Sequence, residues 1–322
     1  MSKHTRPLVV IPGDDPEQIA ESPQLERLRK IADVNVHQTY PASLAEQVER
    51  VKDAVVLINS RGHLRWSAEA LAPLSKLQFI TTVSIGTDAI DLSAARKQGI
   101  VVANIPGRTA PVVAEHALAL MFAVARRVAY TTEQLKAGCW ASPDNIVLAG
   151  KMLGVIGTGS IGREMIRLGR AVGMQVQAWT YNPSPERAHE LDVEFVEFSE
   201  LLRTSDVVSV HVKLTEQSRH LIGRRELSSM RSGSLLVNTA RGAVIDTSAL
   251  VAALGSGQLA GAGLDVFDPE PLPADHPILS CEQVVLTPHT ADQNPEGRDI
   301  LNGGAVDNVI AFLNGTPENV VT

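Results

Sequence analysis

A chain of 322 residues is longer than one ordinary hydrophobic core holds, so two domains are expected. Apolar residues make up 44% of it and charged residues 20%, a balance that excludes disordered and coiled-coil classes. The formal charge of -7, with acids and bases interleaved, excludes the basic stripe of a nucleic-acid partner, and the two distant cysteines, Cys139 and Cys281, exclude a disulfide framework or a zinc site of ordinary spacing.

In chain order, the first hundred residues alternate short β-branched runs with helical patterns. The runs are LVVI from Leu8, VNVH from Val34, AVVLI from Ala54 and FITTV from Phe79; QLERLRKIA from Gln24 and LAEQVERV from Leu44 carry helical spacing. That alternation predicts a parallel sheet with helices on its faces. The first run ends at Pro12-Gly13 and is too brief for a secretory signal, so a cytoplasmic protein is expected. IVVAN from Ile100 leads through Pro106-Gly107 into VVAEHALALMFAVA, which starts at Val112. Glu115 and His116 interrupt this stretch, and it falls short of the ~20 apolar residues of a bilayer span, so it reads as a core or interface helix.

A second alternating set runs through MLGVIG, VQAW, DVVSVHV, SLLVNTA, GAGLDVF and QVVLTPH, all apolar on both faces as buried parallel strands are. A helix follows from Pro295 to Asn314, stopped by Gly315 and Pro317. Because it comes after the second set is complete, it is expected to return to the first domain. The expected division is residues 1–103 with 288–322 in one domain and 104–287 in the other.

The sharpest local signal is VIGTGSIG, where Gly157, Gly159 and Gly162 form GxGxxG between an apolar strand and a helix. Such glycines permit a tight turn, let backbone approach a pyrophosphate and let the helix pack closely, while the helix N-terminus holds the phosphates; Thr158, Ser160 and Ile161 belong to the same loop. The acid expected about 20 residues on, which would bind the ribose hydroxyls of NAD, is absent. Thr180 stands there and Arg187 lies a few residues beyond, so dinucleotide binding is expected with the choice between NAD and NADP left open. Arg241 in NTARGAVID, Asp265 and Glu270 in LDVFDPEPLP, and His289 in TPH sit at or just past the ends of predicted strands, where ligands bind in open α/β folds. No metal site is expected.

In ordered series, SIGTDAIDLSAARKQGIVVANIPG, VAEHALALMFAVAR, KMLGVIGTGSIGREM, SDVVSVHVKLTEQSRHLIG, LLVNTARGAVID, GAGLDVFDPEPLPADHP and VLTPH make nearly the whole chain resemble the D-isomer-specific 2-hydroxyacid dehydrogenases. The resemblance implies a flavodoxin-like substrate domain around an inserted doubly wound dinucleotide domain, with the active site in a cleft between them. It implies that Arg241, Glu270 and His289 are the catalytic Arg, Glu and His, and that Val212, Thr239, Ala240 and Asp265 border the NAD or NADP site. It also implies that the backbone of Ser84, Ile85 and Gly86 holds the substrate carboxylate; most relatives have GxG there, and Ser84 adds either a hydrogen bond or a narrower pocket. His211 and Trp140 resemble residues that flank cofactor and active site in relatives, although structural histidine and simple packing are the plainer readings. His116 reads as an interface or core residue.

The expected activity is hydride transfer between NAD(P) and a small D-2-hydroxy or 2-keto acid, in a homodimer joined through the helix from Val112 to Arg127 and the segment after it. Phosphite or another small anion as substrate, and a non-enzymatic NAD-binding co-repressor, are the alternatives. Formate is disfavoured because formate dehydrogenases of this family pair their His with Gln, where this chain has Glu270.

Overall fold

The computed structural model describes residues 6–60, 62 and 64–322. Its chain divides into two units: one ends at Thr109 and resumes as Gln293–Thr322, and the other is Ala110–Asp292.

The first unit runs β1 (Leu8–Ile11), α1 (Leu25–Arg29), β2 (Asp33–Val36), α2 (Leu44–Val51), β3 (Val56–Asn59), α3 (Ala68–Leu71), β4 (Phe79–Thr82), α4 (Leu92–Lys97) and β5 (Val101–Ala103). All its strand pairs are parallel, in the flavodoxin-like order β2-β1-β3-β4-β5. Alternate residues serve opposite faces: Val9, Ile58 and Phe79 join one core layer, and Val10, Leu57 and Ile80 the other. Burial on both faces is why these strands read as unbroken apolar runs rather than as alternating ones. Ser43, Ser67 and Asp91 start their helices by accepting hydrogen bonds from backbone N–H groups of the first turn.

The second unit opens with α5 (Ala110–Ala125), which carries Pro111 in its first turn, and α6 (Val128–Lys136). Arg127, at φ 52°, separates the two helices. There follow β6 (Met152–Ile156), α7 (Ser160–Ala171), β7 (Gln175–Trp179), α8 (Pro185–Leu191), β8 (Glu194–Phe195), α9 (Phe198–Thr204), β9 (Val207–Val210), α10 (Arg224–Ser229), β10 (Ser234–Asn238), α11 (Thr247–Gly255), β11 (Leu259–Leu264) and β12 (Val284–Leu286). The parallel sheet has the order β12-β11-β10-β9-β6-β7-β8. The chain grows outward in both directions from β6, so the order reverses between β6 and β9, and in such sheets the ligand crevice lies at the carboxyl ends of the strands at that point.

The last helix, α12 (Pro295–Leu313), belongs to the first unit and packs on β4 and α1. Phe312 stacks on Phe79 with ring centroids 4.5 Å apart. Asn308 is buried there, donating to Thr81 Oγ1 and to the carbonyl of Asn104, so its amide is satisfied. Beyond the helix, Val320 bridges Ala103 in antiparallel fashion at the free edge of β5.

Candidate active site

The glycine loop follows β6 at the reversal point. Gly162, in the first turn of α7, lies so close beneath the loop that a Cβ there would fall 1.9 Å from the carbonyl oxygen of Gly157. A Cβ at Gly159, in contrast, would meet no atom within 4 Å. The loop is therefore closed on the protein side and open above Gly159, where Ser160 and Ile161 begin a helix of 12 residues. An open glycine at a helix N-terminus fits the pyrophosphate of a dinucleotide, and NAD or NADP would be held here.

Around the loop stand the ends of neighbouring strands. Thr180 directly follows β7, and Val212 follows β9 with its side chain against Gly157. Thr239 and Ala240 follow β10; the Thr239 hydroxyl is buried and has no hydrogen-bond partner among the described residues. Arg187, from α8, reaches back to the loop: its guanidinium donates to the Thr158 hydroxyl at 2.6 Å, to the Thr158 carbonyl at 3.1 Å and to the Asn182 carbonyl at 2.9 Å. His211 is half-buried by surface exposure, with Nε2 2.8 Å from the Ser209 hydroxyl, and the protein packed around its ring lowers its pKa to about 4, so it is neutral.

Past β10 and β11 the three catalytic candidates come together. Asn238 shapes the first turn: its side-chain carbonyl accepts from the N–H of Ala240, and its amide donates to the carbonyl of Arg241. Gly242 lets this turn meet the next loop, since a Cβ there would fall 2.0 Å from the carbonyl carbon of Phe267. Glu270, on that next loop, accepts the Phe267 N–H through Oε1 and contacts His289 Nδ1 through Oε2, each at 2.8 Å. An ionised carboxylate only accepts, so Nδ1 carries a proton and Nε2 is left to give or take one.

The charges follow from this geometry. Burial by itself lowers the His289 pKa, but the hydrogen bond and charge of Glu270 outweigh it, and Asp265 helps against the opposing charge of Arg241; the imidazole stands above its ordinary value. Glu270 moves the other way: burial raises it, and His289, the Phe267 N–H and Arg241 bring it below the usual carboxylate range. The arrangement suits a group that exchanges a proton near neutral pH beside a fixed guanidinium.

Asp265, fully buried, holds the backbone that carries His289. Its Oδ1 accepts from the Thr287 hydroxyl and the Thr290 N–H, its Oδ2 from the Ala291 N–H, and its own carbonyl from the His289 N–H. Sequence reasoning missed Asn238 and Thr287. The available signal was a polar residue immediately after an apolar strand, where side chains shape turns.

In the first unit, the turn after β4 has all three of its carbonyls engaged. Ser84 accepts from Ile105 N–H and the Thr82 hydroxyl, Ile85 from the Asn104 amide, and Gly86 from the Ser84 hydroxyl. The Ser84 side chain thus braces the turn itself. Trp140 is 90% exposed, so packing within its own chain does not account for it. Among the described residues no cluster suits a metal ion, and no helix is long and apolar enough to cross a membrane.

Residues 118–291 match the family model described as "D-isomer specific 2-hydroxyacid dehydrogenase, NAD binding domain". Over 288 residues the chain is 38% identical to a glyoxylate reductase of Korarchaeum cryptofilum, covering 87% of this chain and 86% of that one. It is 39% identical over 258 residues to a hydroxypyruvate reductase of Thermotoga maritima, covering 79% of this chain and 83% of the relative. Among solved structures, an acyclic imino acid reductase, Bsp5, in complex with NADPH and D-Arg is similar with a TM-score of 0.89 and 25% identity, covering 98% of this chain and 100% of that one.

Proposed function

The chain belongs to the D-isomer-specific 2-hydroxyacid dehydrogenase family, NAD(P)-dependent oxidoreductases of hydroxy and keto acids, and from that premise we propose that it reduces glyoxylate or hydroxypyruvate with His289 as the proton donor. The observation that carries this reading is the pair His289 Nδ1 and Glu270 Oε2 at 2.8 Å, with Arg241 near enough to act on the charge of both. When bound, the nicotinamide supplies or accepts the hydride. His289 gives its Nε2 proton to the carbonyl oxygen in reduction and takes it back in oxidation. Glu270 favours the imidazolium that reduction requires, and Arg241 binds the substrate carboxylate and stabilises charge developing on the carbonyl oxygen.

The turn Ser84–Gly86 adds carboxylate binding through its backbone N–H groups, which its engaged carbonyls leave as the turn's donor edge. Gly157 to Gly162, Thr180, Val212, Thr239 and Ala240 line the dinucleotide, and Asp265 borders it while holding the loop of His289. The units up to Thr109 with Gln293–Thr322, and Ala110–Asp292, serve as substrate and dinucleotide domains. The enzyme works as a homodimer in the cytoplasm, where the unpaired Cys139 and Cys281 stay reduced.

The test is the change in nicotinamide absorbance with glyoxylate, hydroxypyruvate, pyruvate and phenylpyruvate, each run with NADH and with NADPH. Turnover with the first two at the highest kcat/KM supports the assignment. Turnover with phenylpyruvate alone would remove the small-substrate reading, and silence across the panel would remove the keto-acid reading altogether.

A further inference from the structure

His116 lies on α5, flanked on the same helix by the buried residues Val113, Ala114, Ala117 and Leu120. The helix packs directly on β10, β11 and β12, and a Cβ at Gly263 of β11 would come within 3.0 Å of Leu120 Cβ, so the backbone bearing His116 has a fixed seat on the sheet. From it, His116 Nε2 reaches the Thr287 hydroxyl at 2.9 Å and stands 3.5 Å from Asp265 Oδ1. The Thr287 hydroxyl has one proton, and it lies 2.6 Å from Asp265 Oδ1, which accepts only. That proton therefore points to Asp265. The oxygen is left to accept from His116, which fixes the imidazole as its Nε2–H form.

The relay ends at a residue whose conformation needs support. His289 has φ 53°, a left-handed backbone that is unfavourable for a side chain other than glycine and persists only where its surroundings over-determine it. Its N–H is held by the Asp265 carbonyl, and the next two N–H groups, of Thr290 and Ala291, are held by the Asp265 carboxylate. Burial would raise Asp265, but the hydrogen bonds from His116, Thr287 and the Thr290 N–H outweigh it and keep the carboxyl ionised as an acceptor.

We propose that His116 is a positioning residue: through Thr287 and Asp265 it locks the loop Thr287–Ala291 and so sets where the His289 imidazole stands. The proposal rests on the reading of His289 as the proton donor. It separates His116 from cofactor binding, because both groups that His116 reaches, the Thr287 hydroxyl and the Asp265 carboxylate, serve the loop that carries His289.

The experiment compares His116→Leu, His116→Gln, Thr287→Val and the double variant His116→Leu/Thr287→Val. Keto-acid reduction gives kcat, fluorescence titration gives the NADH or NADPH Kd, and hydrogen exchange follows the Thr290 and Ala291 amides. His116→Leu is expected to lose about tenfold in kcat and to speed both amides while the cofactor Kd stays within about twofold. Glutamine, which keeps an N–H donor, should restore most of the loss. In the Thr287→Val background the leucine change should cost less than it does in wild type, since the oxygen that His116 grips at 2.9 Å is already gone and only its longer contact with Asp265 remains. Wild-type kcat and exchange in His116→Leu, or losses that multiply in the double variant, would overturn the proposal. Should His116→Leu fail to fold, Thr287→Val against His116→Gln decides by the same exchange readout. A wild-type enzyme inert to every keto acid would sink the proposed function, while the exchange of Thr290 and Ala291 would still decide the role of His116.

Discussion

His289 and Glu270 share one proton-bearing contact, so a change to one is read in the titration of the other. Glu270→Gln removes the negative charge that holds the His289 pKa up, and that pKa falls. On the proposed mechanism keto-acid reduction needs protonated His289, so its rate should begin to decline at a lower pH than in wild type, with a loss of roughly tenfold at neutral pH. Hydroxy-acid oxidation on the same mechanism needs neutral His289, and its rate should rise from a lower pH. Both limbs report one group and must move together; pH profiles of kcat/KM in the two directions check this, and unmoved limbs would sever Glu270 from His289. A second residue bears on the choice of cofactor. Thr180 offers no carboxylate to repel a 2'-phosphate, and Arg187 holds its guanidinium between Thr158 and Asn182, at the strand end where a ribose phosphate is received. Wild type should then discriminate between NADH and NADPH by only about tenfold, ~1.4 kcal/mol. Arg187→Leu should raise the KM for NADPH by about tenfold and leave that for NADH within about twofold. Equal changes in both KM values would assign Arg187 to loop support alone.

Between residues and molecule stand the elements, and the contrast between two glycines of one loop shows what β6, the loop and α7 require of each other. Gly162→Ala puts a methyl group against the rigid carbonyl of Gly157, and α7 must shift from its seat; urea unfolding of the second unit should show a loss of about 1–3 kcal/mol. Gly159→Asp enters open space at φ -69°, an ordinary backbone, so its unfolding should match wild type within about 0.5 kcal/mol. Its carboxylate would occupy and repel the pyrophosphate position, and the NADH fluorescence titration should be flat. Elements of this kind are legible in the sequence because the loop, its strand and its helix are contiguous and each carries its own pattern. What escaped sequence reading depended on partners far along the chain or on pieces too short to show a period. The strand β8 is two residues long, and Val320 bridges Ala103, which lies far back along the chain. The break at Arg127 adopts φ 52° with no glycine to announce it. His116 looked like a core or interface residue because nothing in VVAEHALAL points 171 positions ahead to Thr287.

At the scale of the molecule, the surface of the second unit carries an uneven distribution of apolar side chains. Phe122, Val128, Leu135, Trp140 and Val147 are 37%, 50%, 55%, 90% and 62% exposed, and all five fall within α5, α6 and the segment that follows. No residue of α6 is buried, although the helix is as ordered as its neighbours in hydrogen bonding, with its C-terminal cap N–H bonded to the carbonyls of Glu133 and Leu135. Single exposed apolar residues are ordinary, whereas five within the 26 residues from Phe122 to Val147 suit a surface that meets another protein. A second copy of the chain is the partner that needs no further component, and a two-fold interface would bring the same segment of each protomer against its mate. The expected solution mass is twice 34.5 kDa. Leu135→Glu, or Trp140 and Val147 both changed to Ser, would bury charge or lose apolar area at such a contact, and each should shift the dimer toward monomer at micromolar concentration. Light scattering checks both. The inner face of α5 packs on the sheet through Leu120 and Val124, against Gly263 and Gly261 of β11, which these variants do not touch, so circular dichroism should remain that of wild type. A wild-type mass near 34.5 kDa at the same concentration would remove the dimer and leave the exposed segment without this explanation.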